Sequence, residues 1–170
     1  MRTDIKLVHH QLEMGLEVES FFEPVNDDRE GKEIVMMFRS KHVLNHENIF
    51  HTDDNGYYMQ RRQLNHRDDF TVKTNVPIPS NYYPITSAVH IEDSDTKLRL
   101  TINTDRSQGV TSLKPGEVEI MVHRLTVQDD WKGLSETLKE LDSEGGRLRV
   151  ATRHYLSYSS PGKRIFWIEE

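Results

Sequence analysis

NYYPITSAVHIEDSDTKLRLTINTDRSQGVTSLKPGEVEIMVHRLTVQDDWKG, residues 81–133, decides the fold of this 170-residue chain. Three strand-like runs stand in it, separated by turn chemistry. Thr86 to Ile91 is the first, and the polar break Glu92-Asp93-Ser94-Asp95 closes it. In Lys97 to Asn103, Leu98, Leu100 and Ile102 alternate with Arg99 and Thr101, the period of two expected of a strand with one packed face. Lys114-Pro115-Gly116 then turns the chain, because Pro presets one backbone angle and Gly accepts the positive one. From Val118 to Leu125 the alternation resumes, with Val118, Ile120, Val122 and Arg124 expected on one face. The loops of this meander, Thr104 to Gly109 and Gln128 to Gly133, carry its unusual polar residues.

Outward from that meander the same grammar continues. Ile5 to Val18 has strand character, with Leu12, Met14, Leu16 and Val18 alternating with Glu13, Gly15 and Glu17. Pro24 stops the pairing because it has no N–H to donate. Ile34 to Phe38 is an unbroken apolar run, expected as a strand buried on both faces. Ile49 to Thr52 and Tyr57 to Met59 flank Asp53-Asp54-Asn55-Gly56, and Asn-Gly between such segments signals a hairpin. Gln60 to Asp69 reads as a polar loop, and Val76 to Ser80, with two prolines, as an extended connector. Leu134, Leu138 and Leu141 recur at helical spacing behind Ser135, so one short helix is expected there, ended by Gly145-Gly146. Leu148 to Tyr158 and Arg164 to Ile168 read as two last strands. The expectation is a mainly β protein: an antiparallel β-sandwich with at most one short helix, residues 1–170 forming a single β-rich domain.

Composition narrows the function classes. A net charge of -6 argues against nucleic acid, since phosphate binding needs clustered Lys and Arg. With no cysteine the chain has neither disulfides nor a thiolate metal site. No apolar run approaches the ~20 residues of a membrane-spanning helix, and Met1-Arg2-Thr3-Asp4 leads into no apolar run, so neither a membrane partner nor a signal peptide within the chain is expected. Hydrophobic residues make up 35% and charged residues 29%, with mean hydropathy -0.72. That is polar for a chain that buries all of its own core, and fits a piece whose neighbour supplies part of it.

Candidate chemistry is sparse. Asp129 and Asp130 are adjacent in a loop beyond a strand. Paired carboxylates divide the work of glycoside hydrolysis, but sequence neighbours point different ways, so a hydrogen-bonded turn competes with any sugar-contacting role. Asp105, Arg106 and Gln108 suit either an Arg–carboxylate pairing between loops or sugar contact. Tyr82 and Tyr83 suit ring stacking on a sugar or simple packing with an anchored hydroxyl. His9 and His10, adjacent in a strand, face opposite sides, while His42 and His46 have the i, i+4 spacing of a two-His site without a convincing helix. No nucleophile elbow, phosphate loop or dinucleotide fingerprint occurs, so catalytic residues and metal ligands are expected to be none.

Five motifs in order carry a resemblance: Asn81-Tyr82-Tyr83-Pro84, Thr104-Asp105-Arg106-Ser107-Gln108-Gly109, Ser112-Leu113, Met121-Val122-His123-Arg124, and Asp129-Asp130 with Gly133. Together they resemble the C-terminal, β-rich region of the lysosomal-type α-mannosidases, zinc-dependent retaining enzymes that trim mannose from N-linked glycans. The likeness is densest over Asn81 to Leu134 and reaches back through Phe50-His51-Thr52-Asp53 and Asn55-Gly56. It implies a portion that supports a catalytic domain of the same polypeptide and is inactive alone. The nucleophile and the zinc would belong to that other domain, and the setting would be lysosomal or secretory. It also implies that Asp129, Asp130 and Lys132 lie near the rim of the sugar site and bind a mannose-containing glycan. The family commonly has Arg at the position of Lys132 and a small or polar residue at that of Trp131; Lys keeps the charge but loses the planar fork. A free-standing carbohydrate-binding or interaction module is the alternative.

Overall fold

The computed structural model describes residues 1–10, 13–25, 30–69, 71–72, 75–129, 131–133, 135, 137 and 140–161, with backbone alone at 8–10 and 13–14. Two antiparallel sheets face each other across one core. The larger contains, in spatial order, β1 (Arg2–His10), β2 (Glu13–Phe22), β11 (Val150–Ser159), β8 (Leu98–Thr104), β7 (Ala88–Asp93), β4 (Ile49–Asp54) and β5 (Tyr58–Gln63). The smaller contains β3 (Lys32–Arg39), β10 (Glu117–Leu125), β9 (Gln108–Thr111) and β6 (Tyr83–Ile85). The expected antiparallel sandwich is therefore the architecture found, and the meander of residues 81–133 supplies strands to both of its layers. A single 3-10 turn at Pro79–Asn81 is the helix among the described residues, and none there is long and apolar enough to cross a membrane.

The core is the set of inward side chains that the period of two predicts. Phe50, Val89, Ile91, Leu100 and Ile102 come from the larger sheet, and Tyr83, Ile85, Val110, Val118 and Ile120 from the smaller, all at most 5% exposed. Val43 plugs one end, and Phe38, Leu98 and Leu156 pack around the margin. At Lys114-Pro115-Gly116 the turn closes through Glu117 N–H to Lys114 O at 3.1 Å, with Gly116 at φ 75°. A Cβ on Gly116 would lie 2.7 Å from both Ser40 O and Leu44 Cδ2, so only glycine fits.

Several expectations need correction. The segment from Ile5 to Val18 is two strands of a hairpin, not one. The run from Ile34 to Phe38 is not buried on both faces: β3 alternates, and Val35 and Met37 are exposed, because none of the described residues covers the outer side of the smaller sheet there. Gln60 to Gln63, expected as loop, continues β5 at the sheet edge, where both faces tolerate polar side chains. Thr104 to Gly109 is not all loop, since Gln108 and Gly109 open β9. The alternation along β10 breaks at a bulge between Met121 and His123, which turns Arg124 outward and buries Leu125 in its place. Leu134 and Leu138 of the expected helix lie outside the described residues, but Leu141 forms a bridge to Arg147, and the Gly145-Gly146 turn joins the two. The expected strand from Arg164 to Ile168 also lies outside the described residues.

Candidate functional site

Register decides which loops share an end of the sandwich. The β4–β5 turn, the β6–β7 corner, the β8–β9 loop and the segment after β10 all leave their strands at one end, with the start of β11. The β7–β8 turn, the 40–48 loop and the Lys114-Pro115-Gly116 turn gather at the other. Both polar loops singled out in the sequence, 104–109 and 128–133, thus project from the same end.

That end is pinned by Asp53. Its carboxylate accepts N–H groups of Gly56 (3.0 Å), Thr86 (2.9 Å), Ser87 (3.0 Å) and Ala88 (3.0 Å), and the Ser87 hydroxyl (3.2 Å). Burial alone would raise its pKa, but the N–H groups outweigh it and hold the carboxyl below its ordinary value. Asn55 and Gly56, the expected hairpin, take φ 50° and 75°, and Tyr57 N–H closes the turn on Asp54 O at 2.9 Å.

The Asp105–Arg106 pair forms within one loop rather than between loops, at 2.9 Å and 3.0 Å. Arg106 also donates to Ala151 O at 2.6 Å, and Asp105 N–H to Arg153 O at 3.3 Å, so the loop is stitched to β11. Burial works to raise Asp105, and Arg106 beside it pulls it below its ordinary value. Gln108 continues the stitching. Its amide donates to Met121 O at 2.8 Å, which leaves its Oε1 to accept the Nε2–H of His154 at 3.1 Å.

Asp129 accepts the N–H of Trp131, a turn that holds Trp131 at φ 59° with its ring 89% exposed. Lys132 is exposed beside it, and Asp130 lies outside the described residues. A cavity of about 250 Å3 opens where β10 ends, between Leu125, Val25 and Leu148, with His123, Arg124, Glu140 and Arg147 in its wall. The tyrosines are packing groups. Tyr83 is buried against Phe50 (5.6 Å between centroids), with the guanidinium groups of Arg62 and Arg67 at 4.4 Å and 4.0 Å from its ring. The Tyr82 hydroxyl donates to Glu119, and burial with that bond pushes its pKa up.

The other end repeats the Asp53 device. Asp93 accepts N–H groups of Leu44 (2.7 Å), Asp95 (2.8 Å) and Thr96 (2.9 Å), and the Thr96 and Leu44 bonds lead in holding its pKa down to about 2. Buried Asn45 bridges Ile49 O, the Ser112 hydroxyl and Gly116 N–H. Asp53, Asp93 and Asn45 were missed in the sequence, although Asp before Asn-Gly and Asp in Asp-Ser-Asp are both Asx-turn signals. On the outer face of the larger sheet, His51 stacks on His90 at 4.5 Å. Burial first, then His51 and Arg99, press His90 down to about 3; Glu92, 3.2 Å away, is already held by Arg99. His42 and His46 lie in a loop without helix, and among the described residues no three His, Cys, Asp or Glu side chains converge as a metal site.

The family model described as "Glycosyl hydrolases family 38 C-terminal domain" matches residues 1–132. "Lysosomal alpha-mannosidase" of Bos taurus is 39% identical over 131 residues, covering 77% of this chain and 12% of its own length. The Homo sapiens protein of the same name is 37% identical over 131 residues, with the same shares. "Alpha-mannosidase" of Canavalia ensiformis is 35% identical over 159 residues, covering 89% of this chain and 16% of its own length. The chain spans well under a fifth of the length of the curated relatives it matches.

Proposed function

Because the chain belongs to the glycosyl hydrolase family 38 C-terminal domain family, a component of glycoside hydrolases, we propose that it is the supporting β-sandwich of a retaining α-mannosidase acting on N-linked glycan mannose. Its Asp53 end faces a catalytic domain of the same polypeptide, and the loop bearing Asp129, Asp130 and Lys132 reaches the rim of that domain's sugar site. The observation that carries this reading is the sorting of polar side chains. Asp53 and Asp105 at this end, and Asp93 and Asn45 at the other, are consumed in holding turns, whereas the loop after β10, itself latched by Asp129, leaves Trp131 exposed at the Asp53 end. The nucleophile and the zinc, which lowers the pKa of bound water or polarises an oxygen wherever it is held, belong to the catalytic domain. The setting is lysosomal, as the names of the relatives have it.

Assaying α-mannoside hydrolysis tests this. The isolated chain turns over nothing, with or without zinc. In a polypeptide joining it to a catalytic domain, Asp129→Ala and Lys132→Ala each raise KM by roughly tenfold, the weight of one charge-assisted hydrogen bond. Metal-dependent turnover by the isolated chain, or an unchanged KM in both variants, defeats the proposal. The exposed ring of Trp131 favours a second reading, direct sugar binding by this chain. A mannose titration that quenches tryptophan emission in the parent chain but not in Trp131→Phe supports it, and an unresponsive spectrum at millimolar sugar rejects it.

A further inference from the structure

The larger sheet runs one strand past the smaller. On β11, His154 is fully buried against Phe38 of β3, 5.3 Å between ring centroids. Its neighbour across the sheet, Val18 of β2, is 7% exposed, but the next in line, Ile5 of β1, is 66% exposed. Leu7, opposite Leu16, is 70% exposed. Among the described residues β1 is therefore an edge strand whose core-side face has no cover, and its register with β2 runs from Arg2↔Phe21 to His10↔Glu13 without a bulge. Natural edges are blunted by shortness, proline, bulges or charge; β1 is long, straight and free of proline, and its charges, Arg2, Asp4 and Lys6, are of both signs. β6 has three residues and contains Pro84, and β5 has six with Arg61 and Arg62 adjacent.

We infer that β1 pairs antiparallel with β1 of a second copy, about a two-fold axis perpendicular to the sheet at Ile5. Such an axis keeps matching faces together, so only registers whose paired numbers share parity qualify. With Ile5 opposite Ile5 of the other copy, Asp4 stands opposite Lys6 twice and Thr3 opposite Leu7 twice. A shift of one pair toward the N-terminus sets Asp4 against Asp4 and Arg2 against Lys6. A shift the other way sets Lys6 against Lys6. Charge thus favours the Ile5 register over the two next to it, since opposite charges across a pair stabilise it and like charges oppose it. The intramolecular pairs these side chains now make are weak ones: Arg2–Asp4 at 2.8 Å is exposed, and Lys6 reaches the half-buried Glu17 only at 4.0 Å. Pairing gives each Ile5 an apolar partner across the dyad and satisfies the free backbone edge.

The absence of cysteine makes the test clean. Opposite Cα atoms in an antiparallel pair lie about 4.5–5.5 Å apart, within disulfide reach. Ile5→Cys, oxidised by a mild copper catalyst, should give a covalent dimer, and light scattering should show the wild-type mass double as concentration rises. Asp4→Lys should shift that midpoint to at least tenfold higher concentration, and Asp4→Lys with Lys6→Asp should restore it. Ile5 and Lys6 are exposed and Asp4 is half-buried at the edge, so circular dichroism should be unchanged. A mass that stays monomeric, a dimer in which Ile5→Cys does not cross-link, or a double variant no better than Asp4→Lys overturns the inference.

Discussion

Replacing His154 with Gln should flatten the acid side of the stability curve. The ring is fully buried beside Phe38, and its Nε2–H is held by Gln108 Oε1. Its Nδ1 is buried with no partner, so a proton added there finds no acceptor. Burial accordingly presses the pKa down to about 4; Asp105 pulls it up and Arg106 down, and the two offset. The unfolded chain, titrating near 6.5, takes up a proton that the folded chain refuses. Stability from this group is complete above pH 6.5, falls as pH drops through the window from 6.5 to about 4, and is flat below. At pH 5 the loss is about 2 kcal/mol, or about 4–8 °C in Tm for a chain of this size. Gln keeps a donor for Gln108 but does not titrate. His154→Gln will start lower at neutral pH because it loses ring packing, yet its urea midpoint or Tm should fall less between pH 7 and pH 5 than that of the parent chain. Parallel curves for the two proteins would refute the argument.

Asp53→Ala removes the acceptor of four backbone N–H groups at once, each costing about 1–3 kcal/mol if left buried and unpaired, so chemical denaturation should show a loss above about 2 kcal/mol. Hydrogen exchange should locate the loosening at Thr86 to Ala88. Gly116→Ala should cost at least about 2 kcal/mol, since φ 75° disfavours a Cβ and Ser40 O, a backbone atom 2.7 Å from it, has little room to move. A thermal melt within 1 °C of the parent would contradict that geometry.

Pattern alone sufficed where apolar side chains alternate with polar ones along the strand. Leu98 to Ile102 and Val118 to Ile120 were legible for that reason, as was the Asn55-Gly56 hairpin, whose residues tolerate positive φ. β5 was illegible because an edge strand with half-exposed Gln60, Arg61, Arg62 and Gln63 has no apolar face to betray it. β9 hid because it is four residues long and contains Gly109, which weakens a strand pattern. The bulge in β10 inserts one residue and shifts every later side chain by one position, which no period of two anticipates. The candidate site failed differently. Whether Asp105 and Asp129 share an end of the sandwich depends on how β8, β9 and β10 register with their partners, and pairing between strands is not written in local pattern.

The same buried histidines bear on the proposed lysosomal setting. At pH 5, His90 and His154 together withdraw about 4 kcal/mol, against a typical total of about 5–15 kcal/mol for a domain. The carboxylate hubs do not compensate: Asp93, at about 2, keeps its contribution down to its ordinary value near 3.8, and so adds no slope in that window. A chain that works in acid with this core needs stability from outside itself, and binding to the folded state supplies it by mass action. Docking of a covalently attached catalytic domain, at the high local concentration a linker enforces, acts in that direction. The isolated chain should therefore melt at markedly lower temperature at pH 5 than at pH 7, while the same residues within a polypeptide carrying the catalytic domain should show a shallower dependence. Equal slopes in the two settings would mean that the sandwich stands alone in acid and that the partner contributes nothing to its stability.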